Sequence, residues 1–202
     1  MPACDAAGTR VELRALPLTA AGFAPFGTVI EAPPLGGCPI NDGTAQRFEL
    51  LADLQLTAAG GRPVLSLSRA QPRSFPFSLV EMERHALGSQ SFVPLGRRRF
   101  VVVVARAGLP PQAAELQAFV TDGLQGVTLA PGTWHHGLLA VDRGDFVVIE
   151  RRADSADCDT HKLDVPRWLV LPEPAVGDRA GSPASHSEDD AVPVLDQAAA
   201  QH

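Results

Sequence analysis

Ala130-Pro131-Gly132-Thr133-Trp134-His135-His136 joins a turn to a strand, and the rest of the chain can be ordered around it. Proline presets φ at the first central position of a turn, and glycine takes whatever φ follows. The run Trp134 to Val141 then reads as a strand. Successive side chains of a strand face opposite ways, so His135 and His136 cannot share a pocket. One imidazole points inward and the other outward.

Some fifty residues earlier, Glu81-Met82-Glu83-Arg84-His85-Ala86-Leu87-Gly88-Ser89-Gln90-Ser91-Phe92-Val93-Pro94-Leu95-Gly96 places Glu83 and His85 two apart, on one face of a strand. The spacing resembles the first motif of the cupins, with Glu83, His85, Ser89 and Gly96 at its ligand and glycine positions. The second cupin motif, a turn running through Gly-x-x-His, corresponds to Gly132-Thr133-Trp134-His135. On that frame the inward histidine is His135. Both motifs, in order, imply an all-β cupin jelly-roll barrel.

The composition agrees with such a domain. A chain of 202 residues with 45% hydrophobic content can bury one sizeable core. A net charge of −6 argues against nucleic-acid or anionic-membrane partners. Cys4, Cys38 and Cys158 are odd in number and lack a CxxC spacing, a reduced profile that implies a cytoplasmic protein. No apolar run reaches membrane-spanning length, and residues 1–10 do not read as a signal peptide.

Further strands are expected at Val11 to Pro17, Thr28 to Ala32, Arg62 to Ala70, Phe77 to His85, Ser91 to Leu95, Gly126 to Ala130 and Phe146 to Arg151. Phe100 to Ala105, with four consecutive valines, reads as a strand buried on both faces. Thr19 caps a helical turn that stops at Pro25, and Pro111 to Val120 reads as the one good helix. Arg97-Arg98-Arg99 reads as a solvated strand end, and Ile40 to Phe48 as a polar loop of the kind found near sites. A folded domain over 1–165 is expected, followed at 166–202 by a Pro/Ala/Ser/Asp-rich tail, largely disordered.

Asn41-Asp-Gly-Thr-Ala-Gln-Arg-Phe, Ser68-Arg-Ala-Gln-Pro-Arg, Glu83-Arg-His-Ala-Leu-Gly-Ser-Gln, Thr133-Trp-His-His and Asp145-Phe together resemble the ureidoglycolate lyase family, from about Val11 to Asp164. The resemblance implies a cupin homodimer that cleaves (S)-ureidoglycolate to glyoxylate and urea in allantoin breakdown. The chain departs from the family's usual residues at Asp42, Ala86 and Gly137. It also has Thr128-Leu129-Ala130-Pro131 where members often carry Asn-Tyr-His-Arg. That change keeps open a related lyase or hydrolase of another small hydroxy- or keto-acid, or a cupin that binds a small acid without catalysis.

Ureidoglycolate is a carbinolamide, whose lysis needs a base at the hydroxyl, a proton donor at the leaving nitrogen and a cation for the carboxylate. His85 and Glu83 are candidates for the first two roles, with His135 as a third catalytic group or as their orienter. Arginine suits the carboxylate by its bidentate geometry, and Arg47 and Arg69 are the candidates. Asn41 and Gln90 complete the expected substrate-binding set. Glu83, His85 and His135 also have the donors of a two-histidine, one-carboxylate site for Ni²⁺, Fe²⁺ or Mn²⁺, with Ser89 a poor fourth ligand. No organic cofactor is expected.

Overall fold

The computed structural model describes residues 10–49 and 54–173. Its elements follow in chain order, strands first. β1 is Glu12–Arg14, β2 Leu16–Pro17, β3 Gly27–Ile30, β4 Cys38–Ile40, β5 Ala45–Arg47, β6 Arg62–Ala70, β7 Phe77–Arg84 and β8 Gln90–Pro94. After these come β9 Phe100–Ala105, β10 Gln117–Val120, β11 Gly126–Leu129, β12 Trp134–His135, β13 Leu139–Ala140, β14 Gly144–Arg152 and β15 Asp159–Val170. One short helix, α1, spans Ala20–Phe23, and the Thr19 side chain accepts the backbone N–H of Gly22 as its cap.

The strands form two large sheets. An eight-stranded sheet runs β1-β15-β7-β12-β9-β10-β2, with β13 also paired to β9, and a five-stranded sheet runs β3-β11-β8-β14-β6. The core between them takes Phe100, Val102 and Val104 from one sheet and Phe92, Val127, Phe146 and Val148 from the other, and α1 adds Phe23. This is the jelly-roll barrel of a cupin.

β9 explains why its sequence is apolar at every position. Phe100, Val102 and Val104 enter the core between the sheets. Val101, Val103 and Ala105 enter a second core with Leu79, Met82, Trp134 and Leu169, on the other face of the same sheet. That second face is enclosed because the sheet curls on itself. Its two end strands, β1 and β2, are separated in the chain only by Ala15, which is fully buried. The expected single strand from Val11 to Pro17 is therefore two short strands, paired parallel to β15 and to β10 respectively.

The expected helix at Pro111 to Val120 is not formed. A 3-10 turn covers Ala113–Glu115, and the chain then enters β10, antiparallel to β9. A capping box between Gln112 and Glu115 supplies the helix-like start. Beyond it, Ala118 and Phe119 enter the two different cores. Burial on two opposite faces suits a strand pairing with β9, and that pairing overrides the helical propensity. The last strand also differs from expectation: β15 carries pairing through to Val170, across the boundary expected at 165/166. The expected disordered tail, from residue 174 onward, lies outside the described residues.

Candidate active site

The register brings the motif residues together. His135 lies directly opposite Glu83 of β7 on one side and Val104 of β9 on the other. Directly opposed residues project to the same side of a sheet, so all three face the core between the sheets. Trp134 faces the other way, with Ala105, into the second core. In the five-stranded sheet Gln90 lies opposite both Leu129 and Glu150, and the core-facing Phe92 and Val148 stand two residues from Gln90 and Glu150 on the same face of β8 and β14. Polar side chains from both sheets thus meet at one end of the barrel.

Glu83, His85 and His135 offer ligand atoms that all lie within 4.8 Å of one another. The two imidazole centroids are 5.3 Å apart. His135 is 1% exposed. Its Nδ1 lies 2.9 Å from the Thr133 carbonyl, which can only accept, so Nδ1 carries the proton. Burial is the main cause that lowers the pKa of His135 to about 4; the Thr133 bond opposes it, and the neighbouring His85 and His136 add to it. His135 is therefore neutral near pH 7, with a lone pair at Nε2.

That lone pair meets other acceptors. Nε2 of His135 lies 3.1 Å from Oε1 of Gln90 and 3.6 Å from Oε1 of Glu83. Gln90 uses its other end to donate to Oε2 of Glu150 at 3.1 Å. His85 donates through Nδ1 to the carbonyl of Asp157, so the neutral ring carries its lone pair at the buried Nε2, which has no hydrogen-bond partner among the described residues. His85 Nε2, His135 Nε2, Gln90 Oε1 and Glu83 Oε1 thus converge as acceptors, while the nearby donors of Gln90 and Cys158 are spent on Glu150 and on the other oxygen of Glu83. Buried acceptors without donors are costly, so the arrangement suits a cation or a ligand rich in N–H and O–H groups.

A buried arginine holds this arrangement. The Arg151 guanidinium donates to the carbonyls of Ala58 and Ala59 at 2.7 and 3.1 Å and lies 3.8 Å from the Asp157 carboxylate. That carboxylate accepts the backbone N–H groups of Ala86 and Leu87, next to His85. Two glycines let the arginine in: a Cβ on Gly61 would lie 2.3 Å from Arg151 Nε, and one on Gly88 2.5 Å from Arg151 Cβ. Cys158, one residue beyond Asp157, approaches Glu83 with Sγ 3.9 Å from Oε2. Partial desolvation, and then the Glu83 charge, push its thiol pKa up, so it is uncharged at neutral pH.

Gln90 joins the triad as expected, but the other expected substrate-binding residues stand elsewhere. Asn41 occupies the exposed turn of the β4–β5 hairpin, which pairs with neither large sheet. Asn41, Asp42 and Gly43 all have positive φ there, so these polar residues serve the turn. Arg47 is exposed on the same hairpin, and no hydrogen bond or ion pair joins it to the triad among the described residues. Arg69 makes a two-pronged ion pair with Asp145, at 2.8 and 3.0 Å. It is opposite Asp145, which lies five positions before Glu150, or about 17 Å along the strand, and projects to the outer face.

Sequence reading missed Glu150, Arg151 and Asp157. Glu150 has a legible signal, since it follows Phe146 and Val148 in the core-facing alternation of a buried strand. Asp157 acts through a backbone carbonyl and a loop, and leaves no such signal.

Glu83, His85 and His135 fit a divalent cation in kind, with two neutral imidazole lone pairs and one carboxylate. Ligands about 2.1 Å from one ion stand at most about 4.2 Å apart, so the three groups would close by half an ångström or more to share it.

The profile of a protein family described as ureidoglycolate lyase matches residues 10–170. A protein named ureidoglycolate lyase from Burkholderia mallei (strain NCTC 10229) is 48% identical over 155 residues, covering 76% of this chain and 91% of that one. One of the same name from Burkholderia cepacia is 45% identical over 172 residues, covering 84% and 96%. Another from Pseudomonas syringae pv. syringae (strain B728a) is 41% identical over 163 residues, covering 80% and 96%. The match spans every strand of the barrel and the whole acceptor-lined site, and the chain belongs to the ureidoglycolate lyase family.

Proposed function

We propose that this chain cleaves ureidoglycolate to glyoxylate and urea at the site formed by Glu83, His85, His135 and Gln90. The convergence of acceptors at His85 Nε2, His135 Nε2, Gln90 Oε1 and Glu83 Oε1 carries the reading. Ureidoglycolate presents a hydroxyl, an N–H and an NH₂, so it offers donors where the site has unmatched acceptors. The adjoining cleft, about 400 Å³ and lined by His85, Glu150, Asp157 and Cys158 among others, has room for a molecule of this size.

In the proposed reaction His85 takes the hydroxyl proton at Nε2. The O–H electron pair becomes the carbonyl of glyoxylate, the carbon–nitrogen bond breaks with its pair on nitrogen, and that nitrogen needs one proton. The proton removed from the hydroxyl is the one required. Glu83 stands beside His85 to pass it to the leaving nitrogen, while His135 and Gln90 orient the ureido group. Asp157 keeps the Nδ1 proton of His85 in place, so the free lone pair always faces the substrate. Glu83, His85 and His135 are also the residues that would hold a divalent cation such as Ni²⁺; with the His85 lone pair so occupied, the ion would supply Lewis acidity in place of His85 as the base.

A homodimer is part of the same reading. Leu65 and Leu67, 71% and 56% exposed, stand opposite Ile149 and Val147 on the outer face of edge strand β6. A second copy would cover this apolar stripe. A cytoplasmic location is supported by the exposed free thiols Cys38 and Cys158. No described helix is long and apolar enough to cross a membrane.

Release of urea and of glyoxylate from ureidoglycolate, measured separately on purified full-length protein, tests the activity. Equal molar amounts of the two products are expected. Ammonia in place of urea, or no turnover with either enantiomer, rejects the reading.

A further inference from the structure

The last rung of the β6–β14 ladder pairs Arg62 with Arg152. Directly opposed residues on antiparallel strands project to the same side, with Cβ atoms about 4.5–5.5 Å apart, and like charges there destabilise the pair. The side is set by alternation. Arg152 follows Phe146, Val148 and Glu150 on the face that looks into the barrel, and Arg62 sits on the matching face of β6. Both arginines therefore stand at the end of the barrel where the acceptors converge. Arg152 also lines the cleft that contains His85.

The pair is only half neutralised. Nη2 of Arg152 lies 3.3 Å from Oε1 of Glu150, whose other oxygen accepts from Gln90. Arg62 is exposed and makes no hydrogen bond or ion pair among the described residues. Two guanidinium charges against one carboxylate leave one positive charge on the rung. The neighbouring Arg151 cannot serve a ligand in the same way, because its guanidinium is buried on Ala58, Ala59 and Asp157.

We propose that Arg152 and Arg62 clamp the carboxylate of the substrate, a place that Arg47 and Arg69 do not occupy. The inference rests on the lyase reading for the identity of the substrate, but the ligand class, a small carboxylate, follows from the rung itself. An anion between two opposed guanidinium groups removes their repulsion and gains charge-assisted, two-pronged hydrogen bonds. Such bonds contribute about 1.5–3 kcal/mol each, or roughly 10- to 100-fold in affinity. The clamp would hold the carboxylate at the rim while the hydroxyl and ureido groups reach inward to His85 and Gln90.

The test compares full-length wild type with Arg152→Gln, Arg62→Gln, the double variant and Arg152→Lys. Two readouts are used: steady-state kinetics on ureidoglycolate, and calorimetric affinity for glyoxylate. Thermal melts confirm that each variant is folded. Arg152→Gln should raise KM about tenfold or more, keep kcat within about threefold and weaken glyoxylate binding by a similar factor. Arg62→Gln should do the same to a smaller extent, and Arg152→Lys should recover part of the loss.

KM and glyoxylate affinity within twofold of wild type in the double variant would overturn the clamp. A fall in kcat with unchanged glyoxylate affinity would overturn it too, since Arg152 would then act only by positioning Glu150. If wild type releases no urea yet binds glyoxylate through these arginines, the lyase reading fails and the clamp stands. If turnover is normal and glyoxylate binding ignores both arginines, the reverse holds. Absence of both turnover and glyoxylate binding in wild type rejects the two together.

Discussion

His85 and His135 turn the same ring nitrogen to the site, and in each case one hydrogen bond decides which. Both spend Nδ1–H on a backbone carbonyl, Asp157 for one and Thr133 for the other, so both present Nε2 to the site. Replacing His85 with alanine should lower kcat by at least ~10²-fold, the usual contribution of a general acid–base group. Metal content measured on the same samples separates loss of the base from loss of a ligand. A folded His85→Ala protein with near wild-type kcat rejects the mechanism. His135 adds a dependence of stability on pH in the metal-free protein. Its pKa is about 4 in the fold and 6.5 when free, so between these values the unfolded chain holds a proton that the native one does not. Stability should therefore rise with pH from about 4 to 6.5 and be flat above, by roughly 3 kcal/mol from this group. Denaturant titrations across that range should lose the slope in His135→Gln. Arg151 is a structural counterpart: its removal leaves Asp157 buried without its partner charge. Arg151→Ala should destabilise the fold by about 3–5 kcal/mol, read as a lowered denaturation midpoint.

The elements decide which charged residues can act. β14 sends Phe146, Val148, Glu150 and Arg152 inward and Asp145, Val147, Ile149 and Arg151 outward. This parity removes Arg69 from the site, since it stands opposite Asp145 and is held there by two hydrogen bonds. Arg69→Ala should leave KM for ureidoglycolate within about twofold, and a tenfold rise would show that the outer face does reach the substrate. The barrel and the triad were legible in the sequence because motif spacing and strand alternation are local properties. Glu83 and His85 needed only a two-residue repeat, and the Gly-x-x-His spacing of the second cupin motif chose His135 over His136. The arginines were not legible for the opposite reason. Arg152 shares the alternation of Phe146 and Val148, but that Arg62 stands beside it and Arg69 does not depends on the register between β6 and β14, strands some eighty residues apart in the chain. The helix expected at Pro111 to Val120 failed on the same ground. Its propensities are helical, but its pairing with β9 is tertiary.

At the scale of the whole molecule, two unlike surfaces remain. One end of the barrel is lined by acceptors and arginines, and the outer face of β6 carries the exposed leucines. Leu65→Asp with Leu67→Asp should convert a dimer to a monomer in light-scattering measurements, with the barrel still folded. A wild-type protein that is monomeric at micromolar concentration rejects the dimer, and a double variant that remains dimeric moves the interface elsewhere. The eight-stranded sheet carries one more consequence. Ala15 stitches together the two end strands of that sheet, and Glu12 of β1 pairs with Trp168 of β15. β1 therefore has no strand partner until β15 is in place. Until then Leu79, Met82 and Trp134 have no closed wall around them. That seam spans the longest chain separation of any strand pairing among the described residues, from Glu12 to Trp168, so its closure carries the largest loop entropy of the sheet.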